Sequence, residues 1–229
     1  MKTQQALKTL IFDFDGTLVD SMATYIHGFN QVAKEFNLPI IAESDLASLK
    51  QLSAKDLMAK FKIGPLKLTR LIYTVNKNLS KEAVNLVFFP GMKTVLIKLA
   101  KQHQLGILTS NNKENVEIFL KKQNCDDLFD FIYAGKNIFG KDKIFSALIK
   151  KHKLNKVDIL YFGDEVRDIE ACQKVGVKVA AVTWGFNAPE LLKAKKPNYL
   201  LNSPEEIVNF TLVNEPSSIV SKARNSWTH

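Results

Sequence analysis

The sequence predicts an α/β protein: a doubly wound parallel sheet with an inserted, all-helical segment. Two observations predict it. Through the second half of the 229-residue chain, short apolar runs alternate with stretches of helical periodicity, which is typical of a parallel sheet covered by helices on both faces. One further apolar run, Leu10–Phe12, is separated from the others by residues 20–85, where helical patterns occur without strand patterns.

The N-terminal third of the chain is predicted to form one strand and then helices only. Leu10–Phe12 predicts a buried strand, which Gly16 ends. Apolar residues then recur at helical intervals, so we expect a helix over Met22–Phe36 with Asp20 or Ser21 as its N-cap. Three more helices are predicted, over Glu43–Lys50, Ala54–Phe61 and Pro65–Ser80.

Strands and helices alternate after the turn signal Pro90-Gly91, which is followed by a predicted helix over Met92–His103. The predicted strands are Leu105–Thr109, Phe131–Ala134, Ile159–Phe162 and Val177–Thr183. The predicted helices are Glu114–Gln123, Asp142–His152, Asp168–Val175, one that starts at Pro189 and one after Pro204. This order predicts parallel strands, and the polar stretch 214–229 is expected to be a flexible tail.

Composition limits the classes of protein to which the chain can belong. A hydrophobic content of 46% and a charged content of 24% are ordinary for a globular protein, and no apolar run is long enough to span a membrane. The two cysteines lie far apart, so neither a disulfide framework nor a zinc site is expected. The short, polar N-terminus does not resemble a signal peptide, so we expect a cytoplasmic protein. The net charge of +9 comes without a recognisable nucleic-acid-binding motif, and no nucleic acid partner is expected.

Two carboxylates, Asp13 and Asp15, follow the first predicted strand directly. Carboxylates are depleted from strand interiors and are rarely buried without a partner, whereas ligands of open α/β sheets bind at this end of the strands. At i, i+2 spacing in a regular strand both side chains leave the same face, so their charges repel. We therefore expect either a cation between them or a proton on one of them.

Hydroxyl side chains follow the next predicted strand of the sheet. Thr109 and Ser110 offer hydroxyl groups and backbone amides that suit an anion such as phosphate. The same pattern also fits an ordinary helix N-cap formed by Ser110 or Asn111. The sequence leaves both interpretations open.

A lysine and a second pair of carboxylates complete the candidate residues. Lys141 lies just before a predicted helix, at a position where the helix dipole disfavours a cation. A lysine at such a position can be either a functional residue or a solvated surface residue. Asp164 and Asp168 follow the strand Ile159–Phe162 at i, i+4 spacing, so their charges repel unless a metal or a base compensates. Asp168 could alternatively serve only the dipole of the following helix.

In their order along the chain, these motifs resemble those of the haloacid dehalogenase (HAD) superfamily. The matching residues are Asp13-x-Asp15-x-Thr17, Thr109 or Ser110, Lys141, and Gly163-Asp164-Glu165-x-x-Asp168. The stretches 163–176 and 182–187 look most like the phosphoglycolate phosphatase branch. The resemblance covers residues 9–210 and implies a Rossmann-like HAD core, 1–19 and 88–213, with a helical cap domain inserted over 20–87.

The resemblance implies a phosphatase that works through an aspartyl-phosphate. Asp13 would be the nucleophile, and Asp15 would protonate the leaving oxygen and then deprotonate water. Mg²⁺ would be bound by Asp13, the backbone carbonyl of Asp15 and Asp164, with Asp168 as a further ligand or acting through water. An acid at the position of Asp15 argues against a dehalogenase, because a halide leaving group needs no proton.

By the same resemblance, a hydroxyl and a lysine would hold the phosphoryl oxygens. Thr109 would provide the hydroxyl, with Ser110 as the alternative, and Lys141 the ammonium, with Lys143 as the alternative. The expected substrate is a small phosphorylated metabolite, a phosphoglycolate-like acid or a sugar phosphate, and the expected assembly is a monomer or homodimer. Two alternatives remain: a β-phosphoglucomutase-like sugar phosphomutase, and a non-catalytic HAD-like binding protein.

Overall fold

The computed structural model describes residues 8–79, 86–135 and 140–213; the predicted tail, 214–229, lies outside these ranges. Six strands form one sheet: β1 (Thr9–Phe12), β2 (Gln104–Thr109), β3 (Phe131–Ala134), β4 (Ile159–Gly163), β5 (Lys178–Val182) and β6 (Tyr199–Leu201). Their order is β3-β2-β1-β4-β5-β6, and all neighbours pair in parallel. The chain therefore runs outward from β1 on one side and returns to β4 on the other, which confirms the doubly wound α/β fold.

Ten α-helices accompany the sheet in the part of the chain that the structure describes. Four lie between β1 and β2 in the inserted segment: α1 (Met22–Ala33), α2 (Leu46–Lys50), α3 (Ala54–Lys60) and α4 (Pro65–Leu79). The other six are α5 (Met92–Leu99), α6 (Lys113–Lys122), α7 (Lys141–His152), α8 (Val166–Val175), α9 (Pro189–Ala194) and α10 (Pro204–Val213). No strand occurs within residues 20–79, as the sequence predicts.

The differences from the predicted elements lie at ends and edges, and the longest is at α5, which ends at Leu99 rather than His103. Strand β6 was not predicted, because its three residues at the edge of the sheet are too few for a periodic pattern. Helix α1 ends at Ala33 rather than Phe36, and Asn37 follows in a left-handed conformation with φ of 47°. Helix α8 begins at Val166, two residues before the predicted start, which places Asp168 inside its first turn.

Side chains of β1 alternate between two apolar layers, one on each face of the sheet. Leu10 and Phe12 belong to one cluster of buried residues, whereas Ile11 belongs to the other. A third cluster lies within the inserted segment and includes Val32, Leu71 and Val75. The inserted segment therefore packs around an apolar core of its own. No helix in the described ranges has both the length and the hydrophobicity needed to cross a lipid bilayer.

Strand β2 has a glycine where β3 brings an aromatic ring against it. A Cβ atom at Gly106 would lie 2.1 Å from Cε2 of Phe131, a buried side chain on the neighbouring strand. We expect Gly106→Ala to lower the free energy of unfolding by about 1–3 kcal/mol, because the ring must move within a packed layer. Urea unfolding measures this, with Gly64→Ala as the matched control, since no atom lies within 4 Å of a Cβ there. Equal unfolding free energies for the two variants would contradict the prediction.

Candidate active site

Three neighbouring strands deliver the predicted residues to one edge of the sheet. Strands β2, β1 and β4 are adjacent, and Thr109, Asp13 and Asp164 lie at or just after their carboxyl ends. The backbone N–H of Asp13 donates to the carbonyl oxygen of Phe162 at 2.8 Å, so β1 and β4 stay paired up to the acidic residues. The sheet therefore fixes the separation of these side chains through backbone hydrogen bonds.

Lys141 lies between two of the carboxylates. Its Nζ is 2.5 Å from Oδ2 of Asp13 and also contacts Oδ1 of Asp168, and its side chain is only 5% exposed. Burial alone would lower the pKa of Lys141, but the two carboxylates raise it above its usual value. Lys143, the alternative from the sequence, is exposed. The structure thus brings Lys141, and not Lys143, to the acidic residues.

Asp164 is fully buried and held through both carboxylate oxygens. The hydroxyl of Thr17 donates to Oδ1 at 2.7 Å, and the backbone N–H of Phe186 donates to Oδ2 at 2.7 Å. Gly16 and Gly185 pack directly on this carboxylate, since a Cβ at either would lie within 2.3 Å of Oδ2. Gly16 also has a φ of 72°, in the left-handed region that favours glycine.

Three buried carboxylates form one group, which we call the acidic cluster: Asp13, Asp164 and Asp168, each with an oxygen within 4.8 Å of the others. Asp168 is oriented by the backbone N–H of Glu165, which donates to its Oδ2 at 3.0 Å. Burial raises the pKa of Asp13 to about 7, although Lys141 opposes the shift. Burial and the neighbouring carboxylates also raise the pKa of Asp164 well above its usual value. Charged carboxylates this close and this buried favour a cation, and an all-oxygen donor set suits a hard divalent metal.

The side chain of Asp15 has different surroundings from the acidic cluster. Its Oδ2 accepts hydrogen bonds from the hydroxyl of Tyr25 at 3.1 Å and from Nδ2 of Asn111 at 2.9 Å. Its Oδ1 is buried and has no hydrogen-bond partner among the described residues. Burial raises the pKa of Asp15, while the hydrogen bonds from Asn111 and Tyr25 lower it. A buried oxygen without a donor suits a carboxyl group that can carry a proton there.

Thr109 and Ser110 both line the cavity that contains Asp13 and Asp15. Thr109 is buried, and its Oγ1 accepts a hydrogen bond from the backbone N–H of Asn111 at 3.0 Å. The Oγ of Ser110 accepts a hydrogen bond from Arg167 at 2.9 Å. Neither Ser110 nor Asn111 is the N-cap of α6, so that alternative was wrong. Asn112 takes the position, since the chain adopts helical geometry only from Lys113 onward.

Sequence reasoning missed three residues that contact this site. Tyr25 and Asn111 hold Asp15, and Arg167 donates to Ser110 and to Glu165. Tyr25 lies on an amphipathic helix, where its spacing indicates only a packing residue. Arg167 stands inside the motif that ends at Asp168, so its position in the motif was the one available signal.

The cavity above these residues has a volume of about 300 Å³. Its floor carries acidic residues, and its roof consists mainly of apolar side chains from the inserted segment. These are Ala54, Leu57, Met58, Ile63, Leu68 and Ile72. The arrangement places several carboxylates, hydroxyl groups and the guanidinium of Arg167 around a space that a small anionic substrate could enter.

Comparison with known proteins agrees with this geometry. The family model described as haloacid dehalogenase-like hydrolase matches residues 10–182. A phosphoglycolate phosphatase of Synechococcus elongatus is 37% identical over 203 residues, which cover 88% of this chain and 96% of that protein. A pyrophosphatase PpaX of Oceanobacillus iheyensis is 27% identical over 209 residues, 89% of this chain and 96% of that protein.

Solved structures share the fold at lower identity. A predicted phosphatase from Clostridium acetobutylicum superposes with a TM-score of 0.79 at 21% identity, covering 91% of this chain and 100% of that one. A predicted phosphoglycolate phosphatase from Haemophilus somnus gives a TM-score of 0.71 at 24% identity, covering 92% of this chain and 100% of that one. The chain therefore belongs to the haloacid dehalogenase-like hydrolase family, and within it to the phosphatases.

Proposed function

We propose that this phosphatase is Mg²⁺-dependent, hydrolyses small phosphomonoesters, and forms an aspartyl-phosphate on Asp13. One observation carries the proposal. Asp13 belongs to a buried acidic cluster with a lysine at its Oδ2, whereas Asp15, two residues later, has its side chain among neutral hydrogen-bond donors. Two neighbouring carboxyl groups in such different surroundings can hold different protonation states, as a nucleophile and an acid must.

In the first step, a carboxylate oxygen of Asp13 attacks phosphorus, and the bond from phosphorus to the leaving oxygen breaks. Asp15 gives its proton to that oxygen, so the product leaves as a neutral alcohol. In the second step, Asp15 takes a proton from water, which attacks the phosphorus of the aspartyl-phosphate, and the bond from phosphorus to the Asp13 oxygen breaks. Inorganic phosphate is released, and Asp13 and Asp15 return to their starting states.

The metal would be held by Asp13, the backbone carbonyl of Asp15, and Asp164, with Asp168 as a further ligand or acting through water. The donor set fits, because the three buried carboxylates of the acidic cluster offer the oxygen ligands that a hard cation prefers, and the pKa values of Asp13 and Asp164 are raised without one. When bound, Mg²⁺ would supply positive charge that offsets the phosphoryl oxygens and keeps Asp13 ionised.

Thr109, Ser110 and Lys141 would bind the phosphoryl oxygens. The two hydroxyl groups line the same cavity as Asp13, and the ammonium of Lys141 contacts the Asp13 carboxylate to which phosphorus would be attached. Hydrogen-bond donors fixed in advance around that position stabilise the charge of the transition state. Their rigid placement at the ends of β2 and α7 supports this role.

The substrate class that we propose is small phosphorylated metabolites, with phosphoglycolate-like acids first and sugar phosphates second. The sequence similarity to a phosphoglycolate phosphatase supports the first. The cavity of about 300 Å³ supports a small molecule in general.

The test measures phosphate release from phosphoglycolate, sugar phosphates, nucleotides, pyrophosphate and an aryl phosphate, with Mg²⁺ and with EDTA. Turnover of at least one phosphomonoester that requires Mg²⁺ is expected, and the fastest substrate identifies the natural class. Release from none of them would refute the hydrolase proposal. Conversion between glucose phosphate isomers would then indicate the mutase alternative. If no conversion occurred either, the result would favour the non-catalytic binding protein.

A further inference from the structure

We propose that Asn187 and Ala188 are positioning residues that couple the inserted helical segment to the acidic cluster. They belong to residues 185–188, the second part of the connection between β5 and α9, which we call the coupling segment. The inference rests on the proposed function in one respect, the assignment of a divalent metal to the acidic cluster. It assigns to the coupling segment a role in metal binding in addition to its role in packing.

On one side, the coupling segment holds the acidic loop. The backbone N–H of Phe186 donates to Oδ2 of Asp164, and that of Asn187 donates to the carbonyl oxygen of Asp164 at 3.3 Å. The side-chain Oδ1 of Asn187 accepts a hydrogen bond at 2.9 Å from the N–H of Val166, the first residue of α8. This helix carries Asp168. The coupling segment therefore holds in place the backbone that carries two members of the acidic cluster, Asp164 and Asp168.

On the other side, the same residues bind the backbone of the inserted segment. Nδ2 of Asn187 donates to the carbonyl oxygen of Leu52 at 3.1 Å. The backbone N–H of Ala188 donates to the carbonyl oxygen of Lys50 at 2.8 Å. Both acceptors lie at the end of α2 and in the turn before α3, and α3 supplies Leu57 and Met58 to the roof of the cavity.

Asn187 has both ends of its amide in use at a site that is only 6% exposed. Separation of the inserted segment from Asn187 would replace the hydrogen bond to Leu52 by one to water and release the side chain that also holds the N–H of Val166. An ordered acidic loop therefore favours contact with the inserted segment, and this contact favours an ordered loop. By thermodynamic linkage, these two effects are equal in free energy.

Two variants break the coupling at different atoms. Ala188→Pro removes the N–H that binds Lys50, in a residue whose φ of −66° already suits proline and which contributes no ligand to the acidic cluster. Asn187→Asp keeps an oxygen for the N–H of Val166 but turns a second oxygen toward the carbonyl of Leu52. Lys55→Met is the matched control, because it removes a different contact between the two parts, an exposed ion pair with Glu170 at 3.8 Å.

The primary measurement is Mn²⁺ binding without substrate, counted by electron paramagnetic resonance, since Mn²⁺ prefers the same oxygen ligands as Mg²⁺. We expect each coupling variant to weaken Mn²⁺ binding roughly threefold to tenfold, which corresponds to the net free energy of one hydrogen bond. Lys55→Met should change Mn²⁺ binding less than about twofold. The carboxylate added in Asn187→Asp would by itself favour Mn²⁺, so only weaker binding supports the proposal. Hydrogen exchange of residues 46–57 should show Mn²⁺-induced protection in the wild type that both variants lose.

Weaker protection of residues 46–57 in Ala188→Pro would show that the contact with the inserted segment is broken. If Mn²⁺ binding in that variant were nonetheless unchanged or tighter, the proposal would be overturned. If Ala188→Pro does not fold, Asn187→Asp decides by the same criteria. Failure of the wild type to bind Mn²⁺ would overturn both this proposal and the metal-dependent function. If both coupling variants bind Mn²⁺ more weakly but the wild type releases phosphate from no substrate of the panel, the coupling is supported and only the proposed function is rejected.

Discussion

Asp13→Asn should lower kcat for phosphate release by about 10⁴-fold or more, because an amide cannot form the aspartyl-phosphate. The substitution changes one buried oxygen to nitrogen in a side chain fixed by the backbone pairing of β1 with β4. Binding and electrostatic groups around the cavity would remain, so the residual rate should exceed the uncatalysed one. Steady-state kinetics with Mg²⁺ on the best substrate of the panel measures the effect.

Asp15→Asn is the informative comparison for that experiment. It removes an acid rather than the nucleophile, so we expect a smaller loss, about 10²- to 10⁴-fold, for an alkyl phosphate. The loss should shrink for an aryl phosphate, whose leaving group needs less protonation. Circular dichroism should show that both variants are folded. An Asp13→Asn rate within tenfold of the wild type would contradict the assignment of the nucleophile.

Much of this site could be predicted from the sequence because its residues sit at the ends of strands. Strands such as β1 and β4 are continuous apolar runs, and polar residues directly after them are visible without a structure. Parallel pairing brings the ends of β1 and β4 together. The sequence pattern alone marked Asp13 and Asp164 as separate candidates, and only the resemblance to the HAD superfamily implied that they share one site.

The choice between neighbouring candidates needed three-dimensional information. Lys141 and Lys143 are two residues apart on α7, and helical geometry turns their side chains by about 200° relative to each other, so one is buried and the other exposed. The contacts of Tyr25 with Asp15 and of Asn187 with Leu52 join elements that no local pattern relates. The division of the chain into a core and a cap at residues 20 and 87 stays a prediction.

Lys141→Met should destabilise the metal-free protein by about 3–5 kcal/mol, because it removes the cation between two buried carboxylates and leaves them unpaired. Methionine keeps an apolar stem of similar length, so packing changes little. Turnover with Mg²⁺ should also fall, on the order of 10²- to 10³-fold, through the lost contact with phosphoryl oxygens. Lys143→Met, at the exposed neighbouring lysine, is the matched control and should change neither quantity.

The destabilisation should depend on pH in a defined direction. The pKa of Asp13 is about 7 in the folded protein and near 3.8 when unfolded, so the folded state binds more protons and stability falls as pH rises from about 4 to about 7. Loss of Lys141 raises this folded pKa further, because Lys141 is the main group that lowers it. The stability difference between wild type and Lys141→Met, measured by urea unfolding in EDTA, should therefore be larger at pH 8 than at pH 5. A difference that is constant across this range would mean that Lys141 stabilises the fold by packing rather than by its charge.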